Sequence, residues 1–292
     1  MNSLHNWLQF INERFNPLPY SVMLVVFLGA HYSAYRQYAL HPIHGVVVVP
    51  LVIATILFFF RLRLFDELKD FESDQIHYPH RPLPRGLLQR SDCVRVAAIS
   101  IAVELALFGL YGWWALLSAM LAIGYSLLMY KEFFIRAWLR ARLTTYAITH
   151  TLIVVLISIT LFTVLLNVPP THVPTHLLSF SLAGWFLFTI FEFGRKTWSS
   201  QEERTSIDSY SKIFGRFGAV AWVVGMAMVS VQLLAGGASP MAPEYYTLGL
   251  TLLVVTGFLY AVFDTIPLAR IYRATTLVFI IFFYASIMRI FP

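Results

Sequence analysis

Apolar residues in this chain come in long blocks that fill every face of a helix, broken by short polar stretches. Blocks of roughly 17–25 such residues suit helices that cross a bilayer. They predict nine spans, over 18–36, 43–64, 92–111, 113–130, 146–166, 175–194, 217–235, 246–264 and 270–290. The third and fourth are separated only by Tyr111–Trp114, a tight hairpin with aromatic rings at the interface. Before the first block, Leu4, Trp7, Leu8, Ile11 and Phe15 share one helical face, which fits a short helix lying on the membrane over residues 1–17. An unstructured tail is the alternative for that stretch. No basic segment followed by a short apolar core and a small-residue cleavage site is found, so no signal peptide is expected.

Composition supports the pattern. Of 292 residues 58% are hydrophobic and 12% charged, about half the charged fraction of soluble domains. The single cysteine, Cys93, excludes an internal disulfide. A formal charge of +6 raises the question of nucleic acid. The distribution of the charge answers it. Nine spans put the N-terminus and the connections after spans 2, 4, 6 and 8 on one side. All of the 21 lysines and arginines fall there except Arg36 and Arg289. That bias is the positive-inside signal, so nucleic acid is not an expected partner. It assigns the N-terminus and charged loops to the cytoplasm and the C-terminus to the opposite side. The whole chain, 1–292, reads as a single transmembrane domain.

Two connections on the charged side are longer than membrane hairpins need, those after spans 2 and 6. The first opens with Asp66, Glu67, Asp70, Glu72 and Asp74. If span 2 continues as helix, Asp66, Asp70 and Asp74 stack at i, i+4 and i+8, with Glu67 at the edge of that face. Like charges four apart cost a few tenths of a kcal/mol per pair, so an unrelieved stack argues for a neutralising cation. Oxygen-only ligands point to a hard ion, Mg²⁺ before Mn²⁺ or Ca²⁺. Mg²⁺ leaves part of its shell to water and substrate phosphate. A ligand with a diphosphate head and a greasy tail therefore fits the mouth of such a bundle.

At these residues the chain resembles the UbiA superfamily of intramembrane prenyltransferases. The family's first signature is Asn-Asp-x-x-Asp-x-x-x-Asp followed by Arg-Pro-x-Pro-x-Gly. Asp66 stands where the family has Asn and Glu67 where it has Asp; Asp70 and Asp74 match, as do Arg81, Pro82, Pro84 and Gly86. The resemblance implies an all-α membrane protein of nine helices around a central cavity, with cytoplasmic cap loops after helices 2 and 6. It also implies Mg²⁺ held by Asp66, Glu67, Asp70 and Asp74. The family's second signature, an aspartate pair after span 6, is altered here. In residues 191–215 Glu192 lies one turn before Lys196, and Glu202 or Glu203 falls near the last expected aspartate, giving two further metal-ligand candidates. Arg195 and Lys196 intrude. They are either direct diphosphate ligands or positive-inside anchors. Arg81 is a further diphosphate candidate. Lys131, after span 4, lies where the family often has a basic phosphate ligand, or is simple topology signal.

The implied chemistry is Mg²⁺-assisted ionisation of an allylic prenyl diphosphate, with Asp66, Asp70, Asp74 and Glu192 as catalytic candidates. Three fates stay open: transfer to an aromatic or lipid acceptor, cyclisation as in UbiA-type terpene cyclases, or no catalysis at all in a transporter or lipid-binding scaffold. Two further acids stand out. Glu104 lies inside a span and is expected to pair with a neighbouring helix or to line the cavity. Asp264, at the end of span 8, is expected to orient Arg270 or Arg273 or to make an ordinary helix-end salt bridge. His77 and His80 read as loop residues near the phosphate.

Overall fold

The computed structural model describes residues 3–38, 48–205, 208–235 and 243–288. The start of the second expected span, the end of the last with Arg289, and most of the loop before span 8 lie outside the described residues. Within them the chain is helical: α1 Ser3–Arg14, α2 Pro17–Tyr38, α3 Val48–His77, α4 Arg90–Gly109, α5 Trp113–Tyr130, α6 Arg136–Arg140, α7 Leu143–Thr151, α8 Ile153–Leu166, α9 Thr175–Arg195, α10 Tyr210–Ala235, α11 Pro243–Phe263 and α12 Ile266–Met288. The short turns Glu132–Phe134 and Pro170–His172 join α5 to α6 and α8 to α9. Neighbours in sequence pack on one another and α12 returns to α2, so the long helices close into a ring. Contacts of α9 with α2, α8 and α12 tie the ring across its middle.

Eight segments among the described residues are long and apolar enough to cross a membrane, α7 and α8 together forming one of them. The expected third span, α4, is not among the eight. It carries Arg90, Asp92, Arg95 and Glu104 within its 20 residues. Glu104 is fully buried in a two-pronged pair with Arg61 of α3, Nε–Oε1 and Nη2–Oε2 both at 2.8 Å. The Arg61 guanidinium also donates to Ser126 of α5 at 2.6 Å and lies over the rings of Phe58 and Phe65. One ion pair thus joins three helices.

The 30 residues of α3, at about 1.5 Å each, reach about 45 Å, against a hydrocarbon core of about 30 Å. Its acidic final turns therefore stand clear of the core. Helix α1 packs against that projecting end, but not with the whole predicted stripe. Phe10 is fully buried while Leu4 and Leu8 stay exposed. Polar ties set this roll of the helix: Asn6 donates to the Leu87 carbonyl, Glu13 pairs with Arg85, and Arg14 pairs with Glu67. The Arg85 hydrogen bond holds the Glu13 carboxyl below the ordinary glutamate range.

The fifth expected span, 146–166, is divided. At the end of α7 three successive side chains, Thr149, His150 and Thr151, bond back to the carbonyls of Thr145, Tyr146 and Ala147. Such bonds compete with the helical ladder and bend it. The Ile148 carbonyl accepts from Trp185 Nε1 on α9, which also donates to the Thr151 hydroxyl, each at 3.1 Å. Further along α9, Gly194 lies so near Thr276 of α12 that an added Cβ would come within 2.5 Å of its hydroxyl.

Candidate functional site

Three helix ends meet on the side where the charged loops gather, and each presents residues at helical spacing. From α3 come Asp66, Lys69 and Asp70; from α7, Tyr146 and His150; from α9, Glu192, Arg195 and Lys196. The charge of Asp66 acts on Arg195 as well as on His150, and Glu192 also acts on His150. The regions of both signatures, far apart in sequence, therefore come near enough for their charges to interact at one polar site.

On α3 the acids do not form a single ladder. A helix turns about 100° per residue, which puts Asp74 nearly in line with Glu67 but no further from Asp70 than Asp66 is, so it is the arginine partners of Glu67 and Asp74 that divide the acids. Glu67 turns towards α1, its side chain 1% exposed, between Arg14 at 2.6 Å and Arg63 at 2.5 Å. Asp74 is clamped by Arg81, whose Nη1 reaches both carboxylate oxygens at 2.6 and 2.7 Å and whose guanidinium lies over Tyr78. Asp66 and Asp70 remain open, 48% and 41% exposed. Asp66 accepts from Lys69 Nζ at 2.9 Å, and Asp70 meets Arg140 of α6 at 3.2 Å. Lys69 itself is only 6% exposed and sits over the Tyr146 ring.

Glu192 is held by both cations that follow it. Arg195 approaches it at 2.5 and 2.8 Å and Lys196 at 3.1 Å. Glu202 and Glu203 have other partners. Glu202 forms a two-pronged pair with Arg273 of α12 at 2.7 and 2.9 Å. Glu203 accepts from Ser209 and Ser211 at 2.6 and 2.8 Å. Both brace the loop between α9 and α10. Asp264, just past the end of α11, does the same: it pairs with Arg216 and accepts from the Ser200 amide at 2.9 Å, so among the described residues it makes a helix-end salt bridge rather than orienting Arg270 or Arg273. Lys131 is exposed at the end of α5, its ammonium over Tyr130. No group of three or more His, Cys, Asp and Glu side chains converges among the described residues. The six expected metal ligands thus do not come together as one set.

The Arg273 hydrogen bond lowers the Glu202 carboxyl below the ordinary glutamate range. A carboxylate depressed on folding stabilises the fold above its unfolded pKa, and that contribution disappears as pH falls through the folded value. The loop brace should therefore weaken on acidification below the usual glutamate range. Glu202→Gln should flatten that part of a stability-against-pH curve measured by thermal unfolding; an unchanged acid limb would contradict the brace.

The turn between α5 and α6 carries three consecutive left-handed residues, Glu132, Phe133 and Phe134, at φ of 49°, 54° and 60°. This conformation costs about 1–2 kcal/mol per residue outside glycine. Buried Glu132 offsets it by holding Arg140 at 2.7 Å and Arg136 at 3.0 Å. The turn delivers Phe133 edge-on to His150, with ring centroids 6.0 Å apart.

No protein-family model matches the chain. The digeranylgeranylglyceryl phosphate synthase of Thermococcus gammatolerans is 39% identical over 69 residues, a match covering 24% of this chain and 22% of that enzyme. A structure from work on digeranylgeranylglyceryl phosphate synthase in membranes superposes with a TM-score of 0.60 at 14% identity, over 99% of this chain and all of the other. The apo structure of a UbiA homolog from Aeropyrum pernix K1 gives 0.59 at 15% identity, over 88% of this chain and 94% of the other. The chain has the UbiA fold.

Within this UbiA fold several residues of the polar site are not marked by a motif. Lys69 lies inside the first signature, at the i+3 spacing that pairs it with Asp66, so helical periodicity alone could have drawn it in. Arg140 was legible only as one of four cations after span 4. Tyr146 and His150 sit four apart in an otherwise apolar run, a signal too weak to separate from ordinary packing.

Proposed function

We propose that this protein is an intramembrane prenyltransferase that moves the prenyl group of an allylic diphosphate onto a lipid acceptor. The observation that carries the reading is the facing of two open carboxylates, Asp66 and Asp70, with the Glu192–Arg195–Lys196 cluster in a UbiA fold. The matched enzyme's name supports a lipid acceptor over an aromatic one, because its product is a glyceryl phosphate bearing prenyl chains.

The donor set fits Mg²⁺ in a narrower form than a four-acid ladder. Mg²⁺ is commonly bound through one or two carboxylates, with substrate phosphates and water completing the shell. Asp66 and Asp70 supply that pair. Glu67 and Asp74 act one layer out, neutralising Arg14, Arg63 and Arg81 and keeping the end of α3 helical. When bound, the ion offsets negative charge developing on the departing diphosphate. Arg195 and Lys196 then exchange Glu192 for phosphate oxygens, which raises local positive charge only when the diphosphate has arrived. Tyr146 and Phe133 pack around His150 and in this reading keep water from the allylic carbon.

For topology, α4 is read as the ninth span. Its 20 residues suffice for about 30 Å, and Glu104 enters the bilayer as half of a neutral pair. The charged ends face the cytoplasm and the C-terminus the other side.

Purified protein given geranylgeranyl diphosphate, Mg²⁺ and a monoalkyl glyceryl phosphate with one free hydroxyl should release diphosphate and form the diether. A cyclic terpene formed without acceptor would replace this reading with a cyclase. No diphosphate release with any acceptor would overturn it. The double variant Arg195→Gln/Lys196→Gln should weaken binding of a non-ionisable prenyl thiodiphosphate by at least about a hundredfold, since each of the two charge-assisted bonds is worth about 1.5–3 kcal/mol. Wild-type affinity would make the two residues membrane anchors only.

A further inference from the structure

His150 has a feature that the diphosphate chemistry does not use. Its Nδ1 donates to the Tyr146 carbonyl at 2.8 Å. A carbonyl only accepts, so the ring proton of the neutral tautomer is on Nδ1 and the lone pair is on Nε2. That Nε2 is buried and has no hydrogen-bond partner among the described residues. A buried polar atom left unpaired costs about 1–3 kcal/mol, and here the charges of Asp66, Lys69 and Glu192 lie near enough to act on the ring. The ring cannot turn away. It is stacked on Tyr146 with centroids 3.9 Å apart and planes at 10°, and Phe133 closes on it edge-on. Tyr125 anchors the turn by donating to the Thr149 carbonyl at 2.8 Å. Its charged and titratable surroundings are Asp66 and Lys69 from α3, Glu192 from α9, and Tyr146 on its own helix.

We propose that His150 Nε2 receives the hydroxyl of the acceptor and takes its proton during transfer, which makes the acceptor an O–H nucleophile. The inference rests on the prenyltransferase reading above. The allylic C1–O bond breaks with its electron pair leaving on the diphosphate. An oxygen lone pair of the acceptor forms the new C1–O bond, and the hydroxyl proton passes to Nε2. The product is an ether, diphosphate and an imidazolium, which returns its proton to solvent when the products leave. Lys69, bonded to Asp66 on the neighbouring face, has no lone pair to serve in this role while protonated.

Two substitutions separate binding from proton transfer. His150→Gln places a carbonyl oxygen near Nε2, able to accept a hydrogen bond but not a proton. With geranylgeranyl diphosphate and the monoalkyl glyceryl phosphate, it should hold the acceptor KM within about threefold while kcat falls about a hundredfold, the range of a lost general base. His150→Phe preserves the stack on Tyr146 and removes both functions, so acceptor KM rises and kcat falls together. Thermal unfolding and affinity for the prenyl thiodiphosphate report whether each variant is folded. Wild-type transfer by folded His150→Phe would overturn the role of Nε2. Prenylation of a ring carbon of 4-hydroxybenzoate, with none of the glyceryl hydroxyl, would overturn the O–H assignment while leaving prenyl transfer intact. Failure of the wild-type protein to release diphosphate with either acceptor would overturn the parent reading as well.

Discussion

Asp66→Asn and Asp70→Asn should each lower Mg²⁺-dependent diphosphate release by at least about a hundredfold, the scale on which loss of a preorganised charge at a transition state is felt. Steady-state assays of diphosphate release check this. Both residues have nearly half their side chains open while their neighbours on α3 are shut into ion pairs. The two classes of acid should therefore respond differently. Glu67→Gln removes the carboxylate charge facing Arg14 and Arg63, so its main effect should be a lower melting temperature. If Glu67→Gln removed activity at unchanged stability while Asp66→Asn left it intact, the division of the ladder into an open pair and a braced pair would be wrong.

The other large effect is on stability. Glu104→Ala leaves the Arg61 guanidinium buried and unpaired, which costs about 3–5 kcal/mol for a broken buried pair. The protein should unfold at markedly lower temperature or fail to accumulate in the membrane. Replacing both partners together, Arg61→Met with Glu104→Leu, should recover most of the loss, because an apolar pair of similar volume replaces desolvated charge. Melting temperatures of the single and double variants in one lipid mimic decide the matter. A single variant as stable as wild type would mean that the pair does not hold α3, α4 and α5 together.

The course of the chain was legible because a spanning helix must be apolar on all sides, and such blocks are visible without any partner. Helices α2, α5, α9, α11 and α12 lie close to where those blocks predict them. The exceptions have local causes. Helix α10 starts at Tyr210, before the expected residue 217, because Gly215 at φ 68° lets a further turn join it at an angle. The span over 146–166 bends where Thr149, His150 and Thr151 draw on their own backbone. Helix α4 also lies close to its expected place, but its charges keep it from being apolar enough to count among the eight spanning segments, and only the cross-helix contact with Arg61 explains Glu104.

The site was legible in part. Helical spacing put Asp66, Asp70 and Asp74 on one face, and Asp66 and Asp70 do lie together. It could not foresee that Arg81 would take Asp74, or that Arg14, from a helix 53 positions away, would take Glu67. Glu202 and Glu203 illustrate the same limit: position in a signature region says nothing of Arg273, Ser209 and Ser211, which the fold brings to them. Spacing along one helix is local information, whereas the partner that claims a side chain is chosen by packing.

The most direct test is a structure of the protein in lipid with Mn²⁺ in place of Mg²⁺ and a prenyl thiodiphosphate, the metal located by its anomalous scattering. The account predicts Mn²⁺ on the carboxylates of Asp66 and Asp70, with the diphosphate between the metal and Arg195 and Lys196, and Glu192 displaced from those cations. Metal or diphosphate bound elsewhere, with Asp66 and Asp70 still paired only to Lys69 and Arg140, would contradict it.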